Sequence, residues 1–178
     1  MNVLECSHIN MAGYTAGAQF CRVRHEKGGV IIYVHNNLKF TNIDLSVYCK
    51  EKDFETCAIK LTINSLNICI ITIYRSPTGN LNYFLQNLDK VLQLVYTPAL
   101  HIIICGDINI NYLAENEQKR QIDNLLLMYS LTAIVNSPAR INNTSASAID
   151  NFFMDICRLE DFLVTPFLND LPDHDAQI

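Results

Sequence analysis

The stretch HIIICGDININ, residues His101 to Asn111, decides how this chain is read. Ile102, Ile103, Ile104 and Cys105 form a short apolar run, the pattern of a strand buried on both faces, and Gly106 ends it. Asp107 and Asn109 then stand at the strand's C-terminal end, the edge at which open α/β sheets bind ligands. Residues two apart leave a strand on the same side. The carboxylate of Asp107 and the amide of Asn109 can therefore converge on one anionic or metal-bound group. A plain turn remains the alternative, because Gly, Asp and Asn are all common turn formers.

Working backward, Pro98 separates this strand from a helix whose apolar residues Leu81, Phe84, Leu85, Leu88, Val91, Leu92 and Val95 recur at three- and four-residue steps, with Asn80 as its cap. Before the helix, Leu66 to Tyr74 (LNICIITIY) reads as a deeply buried strand, and Arg75-Ser76-Pro77-Thr78-Gly79 stops its pairing. Strand, loop, helix and strand make a βαβ-like unit. Upstream, Thr56 to Ile63 alternates with the period of a half-solvated strand, and Asn64-Ser65 suits a two-residue hairpin turn. The stretch from His35 to Asp53 reads as loop with an edge strand near Ile43 to Tyr48, Val30 to Val34 as a strand behind Gly28-Gly29, Arg22 to Lys27 as a charged connection, and Met1 to Phe20 as an irregular opening segment. Downstream, a helix is expected from Glu115 to Tyr129, short strands over Thr132 to Val135, Ile149 to Ile156 and Phe162 to Leu168, and a loop over Asn136 to Ser147.

A length of 178 residues suits a single domain over 1–178 with a sizeable core, and 49% apolar with 17% charged residues is a globular composition. No apolar run approaches the ~18 residues of a membrane span. No signal peptide is visible, so an intracellular protein is expected. The seven scattered cysteines read as reduced core thiols, not as a disulfide frame or zinc site. A net charge of −5 argues against a protein that coats nucleic acid, though not against an enzyme that grips a few phosphates locally.

Several strands end in groups suited to phosphate chemistry: Tyr74-Arg75, Asp107 with Asn109, Asp150-Asn151 and Asp173-His174. Each has a bland alternative: a packed aromatic for Tyr74, a solvated charge for Arg75, loop or turn ends for the acids.

With GGVIIYV (28–34), IYRSP (73–77), IICGDIN (103–109), SPARI (137–141), SAID (147–150) and LPDHDAQ (171–177) in this order, the chain resembles the endonuclease domain of non-LTR retrotransposons, within the endonuclease/exonuclease/phosphatase family. The resemblance implies a four-layer α/β sandwich, two mixed sheets packed face to face and flanked by helices, with the site at one end. It also implies a Mg²⁺- or Mn²⁺-dependent phosphodiesterase that nicks DNA, with a reverse transcriptase downstream in the parent polyprotein and a nuclear location when active. By the same resemblance, Asp107 orients and deprotonates the water and Asn109 donates to a non-bridging oxygen. Tyr74 donates its phenolic proton, His174 held by Asp150 supplies a positive donor or acts as base, and Asp173 ligates the metal.

Three departures from the family pattern stand out. The early strands bearing an Asn and the metal-binding Glu are expected to be missing, with Glu5 a poor substitute. Pro172 and Ala139 stand where the family carries a serine and a threonine. A catalytically inactive remnant, or a phosphoesterase with another substrate, are the competing expectations.

Overall fold

The computed structural model describes residues 11–25, 28–135, 137–138, 140–142, 145–155, 157, 164–167 and 176–177. Glu5, Asp173 and His174 lie outside the described residues.

The pairing of β-branched runs builds a six-stranded mixed sheet. Its strands are β3 (Phe40–Ile43), β4 (Glu55–Ile63), β5 (Leu66–Tyr74), β6 (Leu100–Asp107), β7 (Thr132–Ala133) and β10 (Asp150–Met154), in the order β3-β4-β5-β6-β10-β7. β5 and β6 are parallel, as the intervening helix requires, and the other pairs are antiparallel. A second sheet pairs β1 (Tyr14–Cys21) with β2 (Gly29–His35) and packs across β4 and β5. Two short hairpins, β8 (Arg140–Asn142) with β9 (Ser145–Ser147) and β11 (Pro166–Phe167) with β12 (Ala176–Gln177), complete the strands.

Helices α1 (Leu81–Val95) and α2 (Glu117–Leu127) cover the other face of the large sheet. Phe84, Leu88, Val91 and Leu92 of α1 and Ile122 and Leu126 of α2 meet Ile71, Ile73, Ile102, Ile104 and Phe153 there. Asn80 caps α1 as expected, its side chain accepting from the Tyr83 N–H at 3.0 Å, and Asn116 does the same for α2 with Lys119. Between the sheets, Ala18 and Val34 pack on Cys57, Ile59 and Leu61. The architecture is thus an α/β sandwich of two packed sheets with helices outside.

The hairpin turn falls where Asn64-Ser65 places it, with φ of 49° and 69°, the two left-handed residues of a type I′ turn. Other expectations shift. The opening segment contains β1: its small residues Ala16, Gly17 and Ala18 carry no alternation, but pairing with β2 makes them a strand. β4 is not half-solvated, because its first five residues are buried between the second sheet on one side and α1 on the other. The edge strand lies at Phe40–Ile43 and the expected stretch near Tyr48 is a 3-10 turn, Ser46–Tyr48. The expected loop 136–147 carries the β8–β9 hairpin.

The thiols of Cys49, Cys57, Cys69 and Cys105 are free, and burial pushes each up, Cys57 to about 12 and the other three to about 11. Cys21 corrects the all-thiol reading, since it is disulfide-bonded, with its partner outside the described residues. Among the described residues no helix is long and apolar enough to cross a membrane.

Candidate active site

Strand register puts the chemistry at one end of the large sheet. Tyr74 pairs with Asp107 across the parallel β5–β6 ladder, and Asp150 pairs with Asp107 across the antiparallel β6–β10 ladder. Glu55 pairs with Tyr74 across β4–β5 and extends the row by one strand. Directly paired residues share a face of the sheet. Cys57 and Ile59, on the same alternation as Glu55, pack against the second sheet, so the row Glu55, Tyr74, Asp107, Asp150 lies on the inter-sheet face. Two carboxylates directly opposite each other repel, and their placement calls for positive charge nearby.

The tight fit of β5 and β6 depends on Gly106. Its φ is 143°, and a Cβ there would stand 1.9 Å from the Ile73 carbonyl oxygen. The strand can therefore carry Asp107 forward only over a glycine.

Beyond Asp107 the chain turns at once. The Asn109 N–H donates to Asp107 Oδ1 at 2.8 Å, with Asn109 at a φ of 52°, and Asn109 Nδ2 donates to the Arg75 carbonyl at 2.8 Å. The turn and the site are therefore the same object. Asn109 lies beside Asp107 as expected, but its amide is engaged with the β5 loop, leaving one N–H of the amide for a ligand.

Arg75 is not a solvated charge. It is 2% exposed, and its guanidinium donates to the carbonyls of Ile108 (3.1 Å), Gly79 (2.7 Å) and Asn109 (3.4 Å). Burial lowers its pKa, opposed by Asp107 and Asp53. It staples the loop after β5 to the loop after β6 and holds a positive charge behind Asp107. Asn111, also in the deciding stretch, accepts from Leu113 and from Ala148 through Oδ1 and ties the β6 loop to the approach of β10. Asn151 is removed from the candidate groups: it is 1% exposed and exchanges hydrogen bonds with the Val135 backbone.

Sequence reasoning missed Arg22 and Glu55. Arg22 is 6% exposed, its Nε is 2.5 Å from Glu55 Oε1, and its guanidinium lies over the Tyr74 ring, 5.3 Å from the centroid. Burial lowers the Arg22 pKa, but Glu55 first and Tyr74 second outweigh it and raise it. The available signal was a glutamate opening an apolar strand on its buried alternation, a place a carboxylate occupies only with a partner.

Asp107 and Asp150 are the hard oxygen donors that suit Mg²⁺ or Mn²⁺. Among the described residues, however, no group of three or more His, Cys, Asp or Glu side chains could hold an ion. The described side chains alone thus do not make up a coordination shell.

Neither a comparison with protein-family models nor one with curated proteins finds a match. Solved structures do match. The endonuclease domain of TRAS1, a telomere-specific non-LTR retrotransposon, is similar over 92% of this chain and 79% of its own, with a TM-score of 0.67 at 14% identity. TDP2 of D. rerio, complexed with single-strand DNA product, is similar over 93% of this chain and 72% of its own (TM-score 0.59, 11% identity). A mannosyl-6-phosphatase of Bacteroides thetaiotaomicron VPI-5482 is similar over 81% and 63% (TM-score 0.55, 14% identity). With its two packed sheets and outer helices, this chain has the α/β sandwich fold of the endonuclease/exonuclease/phosphatase proteins.

Proposed function

We propose that this chain is a divalent-metal-dependent phosphodiesterase that nicks DNA. The observation that carries the reading is the in-register row Tyr74, Asp107, Asp150 on three adjacent strands. Such a row brings a phenol and two carboxylates, far apart in sequence, to one sheet end. Supporting it, one neighbour in fold is the endonuclease domain of a retrotransposon and another was solved with a single-strand DNA product.

Hydrolysis of a phosphodiester needs a water aimed in line, a proton acceptor for it, and donors for the charge that grows on phosphate and leaving oxygen. Asp107 takes the first two tasks, oriented by its bond from the Asn109 N–H. Arg75, buried behind it, sets a positive charge beside it. Tyr74 donates its phenolic proton to the phosphate, and the remaining N–H of Asn109 donates to a non-bridging oxygen. By the sequence resemblance, His174 would pair with Asp150 and add a positive donor. A bound Mg²⁺ or Mn²⁺, with Asp173 its sequence candidate, supplies neutralisation of the phosphate and of the 3′ leaving oxygen. A nick of this type leaves a 3′ hydroxyl from which a reverse transcriptase of the same polyprotein extends, in the nucleus.

The test is conversion of supercoiled plasmid to open circle by the purified chain. Nicking is expected in Mg²⁺, none in EDTA, and a loss of about 10²-fold or more in Asp107→Ala. Nicking untouched by that substitution refutes the assignment. Hydrolysis of a sugar phosphate without plasmid nicking would place the activity with the phosphatase neighbour instead.

A further inference from the structure

The buried ion pair between Arg22 and Glu55 joins the two sheets at the site end, yet no step of the proposed reaction uses it. Arg22 follows β1 in the second sheet, and Glu55 opens β4 in the first. Four features show that the pair is built rather than incidental. The pair is almost wholly removed from water, with Arg22 6% and Glu55 0% exposed. Glu55 Oε1 also accepts from the Lys52 N–H at 2.6 Å, which fixes the carboxylate. Gly28, at a φ of 129°, leaves room for the guanidinium, because a Cβ there would stand 2.2 Å from Arg22 Cζ. Finally, the guanidinium lies over the ring of Tyr74, Glu55's register partner.

An ion pair so deeply buried gives little net stability compared with apolar side chains of the same size. Its position suggests another use. A phenol that must donate to a phosphate needs its ring held in one place, since a misplacement of about 1 Å costs about 10²-fold. A cation on the ring face fixes that place through attraction to the ring's negative face.

We propose that Arg22, locked by Glu55, is a positioning residue that fixes the Tyr74 phenol for the phosphate. This rests on the phosphodiesterase reading for its catalytic consequence, but not for the contact itself. Two measurements separate them. In the neutralised pair Arg22→Met/Glu55→Gln, the glutamine keeps an acceptor for Lys52 and no lone charge is buried, so the fold is retained. The ¹³C-tyrosine NMR signal that disappears in Tyr74→Phe is expected to shift in this variant while the signals of the other tyrosines stay. An unmoved Tyr74 signal overturns the proposal.

In the plasmid assay, the neutralised pair is expected to lose about tenfold in kcat with KM little changed in the wild-type background, and nothing further in a Tyr74→Phe background. Arg22→Lys, which keeps the cation, is expected to recover part of the loss. An equal tenfold loss in both backgrounds means that the pair acts on the fold and not through Tyr74, which also overturns the proposal. Absence of Asp107-dependent nicking in the unaltered chain together with a shifted Tyr74 signal rejects the nuclease reading and leaves the positioning contact supported.

Discussion

At the scale of single residues, the buried cations matter more than their place in the sequence suggests. Arg75 serves three carbonyls at once, a task its planar fork performs and a lysine ammonium does not. Arg75→Lys is therefore expected to destabilise the chain by about 2–4 kcal/mol, read from urea unfolding, by leaving buried carbonyls without donors. Glu51 offers a pH test. Burial pushes its carboxyl up, but the N–H groups of Arg24 and Val23 and the His25 ring outweigh this and hold it at about 2, against an ordinary 4.5. Its stabilisation is complete above pH 4.5 and is lost as pH falls toward 2. In Glu51→Gln the melting temperature should start lower at neutral pH and fall less steeply across that window. Asp107 and Asp150 were legible because strand ends advertise their polar residues. Arg22 and the buried role of Arg75 were not, because a charge at the end of a strand is normally solvated, and only the carbonyls and carboxylate around it reveal otherwise.

At the scale of elements, β5 and the β4–β5 hairpin were readable nearly residue by residue, since apolar period and turn chemistry agree there. The hairpin carries its own test. Ser65 holds a φ of 69°, a conformation that costs an L-residue and not a glycine. Ser65→Gly is thus expected to be neutral or to stabilise by up to about 1 kcal/mol, measured by urea midpoint, a sign opposite to that of most loop-to-glycine changes. By contrast, Leu88→Ala, beneath the α1 face against the sheet, should cost about 2–5 kcal/mol. β1 escaped the sequence because Tyr14 to Cys21 has no alternation of its own. Its strand identity is conferred by β2 and by the face it covers on β4, which is tertiary information.

At the scale of the whole molecule, the net charge of −5 bears on how a nucleic acid is held. A chain without a cationic coat releases few counterions, so plasmid affinity should fall only shallowly with salt, with a log–log slope corresponding to about two or three phosphate contacts. A slope near −10 would indicate an extensive backbone interface instead. The sandwich itself was legible through the order of its motifs, because IYRSP, IICGDIN and SAID fall at ends of β5, β6 and β10 that the register brings to one side. What the order did not reveal is which partner each face meets. β4 reads as half wet in isolation, and its first half becomes dry on both sides once a second sheet and a helix close over it.

The contact between Gly106 and the Ile73 carbonyl leaves no slack beneath the acids, and the guanidinium of Arg75 clamps the two loops that leave that floor. A platform so tightly bolted cannot be retuned by small substitutions without breaking. Variation compatible with this fold must therefore fall outside that floor, in the connections that Gly106 and Arg75 do not fix.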